Sequence, residues 1–186
     1  MKLHYTLFYF TIVSLVFASC GTRKQYAGGK TSTHILTDAS SARTSTFSKS
    51  KLEDYAALLQ VSKSQLNPSL YAFVDDWMGI RHQMGGMSKS GVDCSGFVTL
   101  LYDQVYRKSL PRTSRDMESA VEHKSEKKLK EGDLVFFSFG GRSIDHVGVY
   151  LQNDKFVHVS TKKGVIISDL NDNWYQKVYE SGGSAN

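Results

Sequence analysis

Cysteine and proline are scarce in this chain, with two of each among 186 residues, and no uninterrupted apolar run reaches the length needed to cross a bilayer. So little cysteine excludes a disulfide-stapled mini-protein, and the overall composition excludes a collagen-like repeat and a long disordered polymer. Charge of a single sign is lacking as well. The 23 Lys+Arg are interspersed with 18 Asp+Glu for a formal net charge of +5, with no polybasic arm and no basic stripe interleaved with aromatics, so nothing points to nucleic acid. A modest positive surface is compatible with an acidic polymer. What is present, 40% hydrophobic residues in a chain of this length, suits one ordinary domain with attachments.

The two cysteines occupy different settings. Lys2 and His4 precede an apolar stretch from Leu7 to Phe17, followed by small Ala18 and Ser19 and then Cys20, the layout of a cleaved export signal. Phe17-Ala18-Ser19-Cys20 resembles a bacterial lipobox, with Phe17 where Leu is usual. That resemblance implies a lipoprotein signal peptide over residues 1–19, with cleavage leaving Cys20 first and its thiol carrying diacylglycerol. Loss of Lys2 then lowers +5 to +4. Gly21, in place of the Asp of an inner-membrane retention signal, implies the periplasmic face of the outer membrane. Residues 20–50 are rich in Ser, Thr, Gly and Lys without apolar periodicity and are expected to be a flexible tether behind the lipidated Cys20.

Residues 51–186 carry the pattern of a folded domain. Ser50-Lys51-Leu52-Glu53 has capping-box spacing before Leu52, Tyr55, Ala56 and Leu59 at helical intervals. Asn67 and Pro68 predict a second helix start, with Leu70, Phe73, Val74, Trp77 and Met78 on one face and Gly79 at the end. A third helix is predicted from Cys94 to about Tyr106, and a short one after Thr113, followed by a solvated connection from His123 to Gly132. The period then changes to two, with strands expected at Leu134 to Phe139, His146 to Leu151, Phe156 to Ser160 and Val165 to Ser168. Helices first and antiparallel strands afterwards indicate an α+β fold. Trp174 is expected to anchor the C-terminal segment.

A cysteine in mid-sequence is usually a buried small hydrophobe. Cys94, however, opens a helix, where unpaired amides and the dipole favour a thiolate, and Gly91 and Gly96 bracket it. Asp93 is placed to cap that helix, but its charge opposes the thiolate, so a base is required. His146 and His158 are the candidates, each within an apolar strand where an imidazole costs solvation unless it is bonded. A two-residue loop at Asn153-Asp154 would put them on opposite faces. A three-residue loop, Gln152-Asn153-Asp154, opposes His158 to Gly148 and makes the histidines diagonal neighbours on one face. Val147, Val149, Leu151, Val157 and Val159 would then face the core. A zinc site from Cys94, His146, His158 and His82 has acceptable ligand types but lacks closely spaced ligand pairs.

Gly85-Gly86, Gly91-Val92-Asp93-Cys94-Ser95-Gly96-Phe97-Val98, Leu110-Pro111-Arg112-Thr113, Gly132-Asp133-Leu134-Val135, His146-Val147-Gly148-Val149-Tyr150 and Phe156-Val157-His158 together resemble the NlpC family. These are papain-like cysteine peptidases of peptidoglycan, and within them the likeness is greatest to the Spr-type murein endopeptidase lipoproteins, over about Trp77 to Tyr179. The resemblance implies N-terminal helices packed on a central antiparallel sheet, Cys94 as nucleophile, His146 as base and His158 as the residue orienting it. It implies His82, Asp93, Ser95 and Arg112 as substrate-binding residues, a monomer anchored to the membrane by lipid, and no metal or other cofactor. The substrate implied is the peptidoglycan stem peptide or, favoured by the overall likeness, the cross-link between stems. Arg112 would steer an acidic stem peptide or else pair on the surface with Asp116 or Glu118. One position departs from the pattern, because His82 stands where the family commonly has a Tyr whose hydroxyl lines the site. That departure allows a second reading, a murein-binding lipoprotein of the same fold with altered or lost activity.

Overall fold

The computed structural model describes residues 47–185; the signal, Cys20 and nearly all of the tether lie outside the described residues. The first helix, α1 (Lys49–Leu59), starts two residues earlier than its sequence signal, because Ser48 and not Ser50 accepts from Lys51 N–H. Helix α2 (Pro68–Trp77) begins as predicted, with the Asn67 side chain accepting from Ser69 and Leu70 N–H and Pro68 at the position that needs no donor. Its buried face is Leu70, Tyr71, Phe73, Val74 and Trp77, whereas Met78 is 40% exposed. A small hairpin, β1 (Met87–Ser88) and β2 (Gly91–Val92), leads into α3 (Cys94–Leu101), which continues as one wider turn over Tyr102–Tyr106 and stops at left-handed Arg107. The short α4 (Ser114–Ser119) is capped by Thr113.

The sheet is six-stranded and antiparallel, in the order β3 (Glu122–Lys124), β8 (Tyr179–Ser184), β4 (Leu134–Phe137), β5 (His146–Tyr150), β6 (Lys155–Ser160), β7 (Gly164–Asp169). Between β7 and β8 lies the single turn α5 (Asn173–Gln176). The α+β order read from the sequence holds, and two strands are added. His123 and Lys124, the first residues of the expected solvated connection, belong to β3 and pair with β8, and the C-terminal β8 inserts between β3 and β4. Lys124 also reaches the buried Asp133 carboxylate at 2.9 Å, so this segment is tied down rather than solvated throughout.

Both faces of the central strands are buried. Leu134, Phe136, Val147, Val149, Val157 and Val159 pack with α1, α2 and α3 in the main core. Val135, Phe137, Tyr150 and Phe156 face the other way, under Leu129, Leu170, Tyr175 and Tyr179. The β5–β6 connection is the three-residue loop, with Asn153 and Asp154 in the left-handed region that these two residue types tolerate best among non-glycines. Asn153 also donates to Leu59 carbonyl at the end of α1. The resulting register opposes Gly148 to His158 and Val149 to Val157. Both histidines therefore lie on the second face.

Candidate active site

Cys94 occupies the first turn of α3, half-buried, with Asp93 as the capping residue. The Asp93 carboxylate is nearly buried and fully engaged. It accepts from Gly96 N–H (2.6 Å) and Gly85 N–H (2.8 Å), and the Arg112 fork meets it at 3.0 and 2.7 Å. Arg112 also donates to Ser95 Oγ at 2.8 Å. Asp93, Ser95 and Arg112, expected to meet substrate, thus spend their polar atoms on one another, because a carboxylate at this depth needs a counter-charge. Arg112 pairs with Asp93 and with neither Asp116 nor Glu118. Burial alone would raise the Asp93 carboxyl, but Arg112 and the two glycine amides outweigh it and hold the group below its ordinary range.

On the strand side, His146 Nε2 and His158 Nδ1 lie 2.8 Å apart. Gly148 makes this approach feasible, since a Cβ there would come within 2.8 Å of the Phe156 ring and 3.2 Å of His158 Cβ. His158 Nε2 in turn lies 3.0 Å from Ser168 Oγ and 3.1 Å from Tyr175 OH, and Ser168 donates to Tyr175. One assignment of protons satisfies the whole set. If His146 Nδ1 is left bare to receive a proton, its Nε2–H donates to His158 Nδ1 and His158 Nε2–H donates to Ser168 and Tyr175. Phe137, Phe139, Phe156 and Tyr175 box the two imidazoles, with ring centroids 4.9–5.9 Å from the nearer one.

Cys94 lies against the start of β5, where the Val147 N–H, from the residue after His146, points at the thiol. Burial pushes the Cys94 thiol up and the Asp93 charge adds to this, against the Val147, Ser95 and Cys94 amides, which favour the thiolate. Burial likewise lowers His146 to about 4, with Asp145 pulling it back and His82 pushing further down. Burial, then the charge of a protonated His146, lowers His158 to about 3. The resting pair is therefore neutral thiol and neutral imidazole, so the helix dipole alone does not ionise Cys94. The backbone flanking half-buried His82 pairs with Val92, Gln83 N–H donating to the Val92 carbonyl and Val92 N–H to the Arg81 carbonyl, beside this centre. Among the described residues no group of three or more His, Cys, Asp and Glu side chains is arranged to hold a metal ion, and the two histidine nitrogens face each other rather than a common point.

Ser168, Tyr175 and Phe139 were not singled out from the sequence. Tyr175 and Phe139 carry no motif, and only the β6–β7 register, which opposes Phe156 to Ser168 and His158 to Ile166, brings Ser168 to His158. Trp174 differs from expectation: it is 62% exposed and stacks on Phe139 rather than anchoring the C-terminal segment, which Leu170, Tyr175 and Val178 hold. A cavity of about 610 Å³ between α1 and the edge strand β7 touches this arrangement only at Ser168 and holds no nucleophile.

Residues 79–183 match the NlpC/P60 family. The chain is 41% identical over 104 residues to murein DD-endopeptidase MepS/murein LD-carboxypeptidase of Escherichia coli (strain K12), covering 56% of this chain and 55% of that protein. It is 35% identical over 137 residues to a probable endopeptidase NlpC homolog of Haemophilus influenzae, covering 74% and 69%. Among solved structures, an NlpC/P60 family protein from Bacillus cereus superposes with a TM-score of 0.59 at 27% identity, over 63% of this chain and 39% of the other. The chain spans about half the length of the Escherichia coli relative it matches.

Proposed function

The chain belongs to the NlpC/P60 family, and from that premise we propose that it is a cysteine endopeptidase hydrolysing amide bonds in peptidoglycan stem peptides or their cross-links. The observation that carries the reading is Cys94 at a helix start against Val147 N–H, with His146 held by His158 at 2.8 Å. His146 Nδ1 takes the thiol proton as sulfur attacks the amide carbonyl, forming a C–S bond. The Cys94 N–H, at the helix start, stabilises the oxyanion. Collapse breaks the C–N bond while His146 returns the proton to the departing amine. Water then attacks the thioester, giving a proton to His146, and the C–S bond breaks to restore the thiol. His158 keeps His146 in the tautomer this needs, the role a carboxylate or amide fills in related triads. The remaining exposed surface of Arg112 and half-buried His82 are the expected substrate contacts, and no cofactor is invoked.

Digestion of purified sacculi, with the released fragments separated by mass spectrometry, tests this reading. Wild type should release new stem-peptide or cross-link fragments, and Cys94→Ala none. A wild type that sediments with sacculi and releases nothing beyond that control would instead be a murein-binding protein. The lipobox-like Phe17-Ala18-Ser19-Cys20 supports a further part of the proposal, a diacylglycerol anchor on Cys20 at the periplasmic face of the outer membrane. Intact mass of the processed form tests it: a Cys20→Ser variant should lose the acylated species.

A further inference from the structure

The aromatic residues near His146 continue past what the catalytic pair uses. Phe137, fully buried, is nearly parallel to Phe139 (17°, centroids 6.1 Å apart), and Phe139 is nearly parallel to Trp174 (22°, 6.0 Å). The stack climbs from beneath the base to solvent: Phe139 is 40% exposed and Trp174 62%. Phe139 meets His146 edge-on at 5.4 Å. The loop carrying it is pinned, with the Asp145 carboxylate accepting from Phe139 and Gly140 N–H and Arg115 donating to Ser143. An indole stacked on a pinned loop with so much surface left in water contributes little to folding, and an exposed apolar face beside a reaction centre marks a binding surface.

We propose that Trp174, backed by Phe139, is a glycan subsite that stacks on the apolar C–H face of a pyranose ring of the peptidoglycan strand carrying the peptide under attack. The inference rests on the peptidoglycan reading above. Stem peptides offer alanine methyls and charged groups, which match an open indole plane poorly. The amino sugars of the same polymer offer pyranose chairs with an apolar C–H face of about its width.

Trp174 and Trp77 are the chain's two tryptophans and both emit, but Trp77 is buried, so a change in emission on adding a ligand reports on Trp174. Full-length protein is titrated with peptide-free glycan strands, and its cleavage of cross-linked dimers is compared with and without attached disaccharides. The glycan should change the emission of wild type but not of Trp174→Phe. Trp174→Ala should cut the preference, as a ratio of kcat/KM, for disaccharide-bearing over sugar-free dimers by about tenfold. An emission that ignores the glycan, or an unchanged preference in Trp174→Ala, overturns the subsite. A wild type that cleaves neither dimer but still responds to the glycan refutes the peptidase reading and leaves the subsite standing.

Discussion

The two halves of the site are built on opposite electrostatic plans. Around Cys94, at the start of α3, a buried carboxylate and a guanidinium hold the helix end to the Gly85-Gly86 segment through charge-assisted hydrogen bonds. Around His146, among the described contacts, no carboxylate bonds either imidazole: aromatic rings, a second imidazole and two hydroxyls surround them, and the Asp145 charge, spent on the Phe139 and Gly140 amides, acts without a bond. The charged half resists rearrangement because a lone buried carboxylate would be left behind. The neutral half keeps both imidazoles uncharged at rest, which makes His146 able to accept a proton but costs stability whenever protons are plentiful.

Acid therefore separates the halves with the largest expected effect. The folded pKa of His146 lies near 4, below its unfolded value of 6.5, so as pH falls the unfolded chain takes the proton first. Stability contributed by the neutral imidazole is complete above about pH 6.5 and is lost toward 4, by about 3 kcal/mol for His146 alone. His158, shifted the same way, adds to the slope. Asp93, held low, keeps its charge and its contribution across this window and loses them only at lower pH. Urea unfolding from pH 7 to 4.5 should show this loss, with a shallower slope in His158→Asn, and the acid limb of kcat/KM should fall well below 6.5. Constant stability over that range would mean the imidazoles are not buried neutral.

Breaking the charged half should cost less. Arg112→Ala removes the only cation on Asp93 among the described hydrogen bonds and ion pairs, leaving a carboxylate whose side chain is 9% exposed. Because Arg112 itself is 40% exposed, the loss should lie between the values for buried and surface pairs, about 2 kcal/mol. The uncompensated charge beside Cys94 should also slow thiol alkylation at neutral pH by about three- to tenfold. Arg112→Lys restores charge without the fork and should recover the alkylation rate better than the stability. Equal alkylation rates in wild type and Arg112→Ala would show that Asp93 does not act on the thiol.

How much of this was legible in the sequence depended on whether the signal was local. The Asn67-Pro68 helix start and the Asp93 cap are short-range chemistry, and each appears where the residues predict; the turn at Asn153-Asp154 is local as well, but its residues left two- and three-residue loops open, and the structure takes the three-residue form. The loop parity alone brings His146 and His158 to one face. Strand β8 was illegible because its sequence, Tyr-Glu-Ser-Gly-Gly-Ser, has poor strand propensity; glycine is required there by packing, since a Cβ on Gly183 would lie 2.4 Å from Glu122 carbonyl. Arg112 with Asp93, and Ser168 and Tyr175 with His158, are tertiary pairs with no fixed spacing.

Tyr175 gives the finest test of the neutral half, because its ring and its hydroxyl have separate duties. The ring packs on Phe137, Phe156 and His158 with centroids 5.0–5.8 Å away, and phenylalanine would preserve that packing. The hydroxyl takes the hydrogen bond from Ser168 and shares His158 Nε2 with it. Tyr175→Phe leaves Ser168 as the one acceptor, so His158 is held less firmly in the tautomer that receives the His146 proton. One neutral hydrogen bond is worth about 1 kcal/mol, which predicts a fall in kcat of about fivefold with KM unchanged. Ser168→Ala should do the same, and the double variant should lose less than the product of the two if the hydroxyls act through one imidazole. A lowered melting temperature with kcat intact would make Tyr175 a packing residue and confine the catalytic relay to the two histidines.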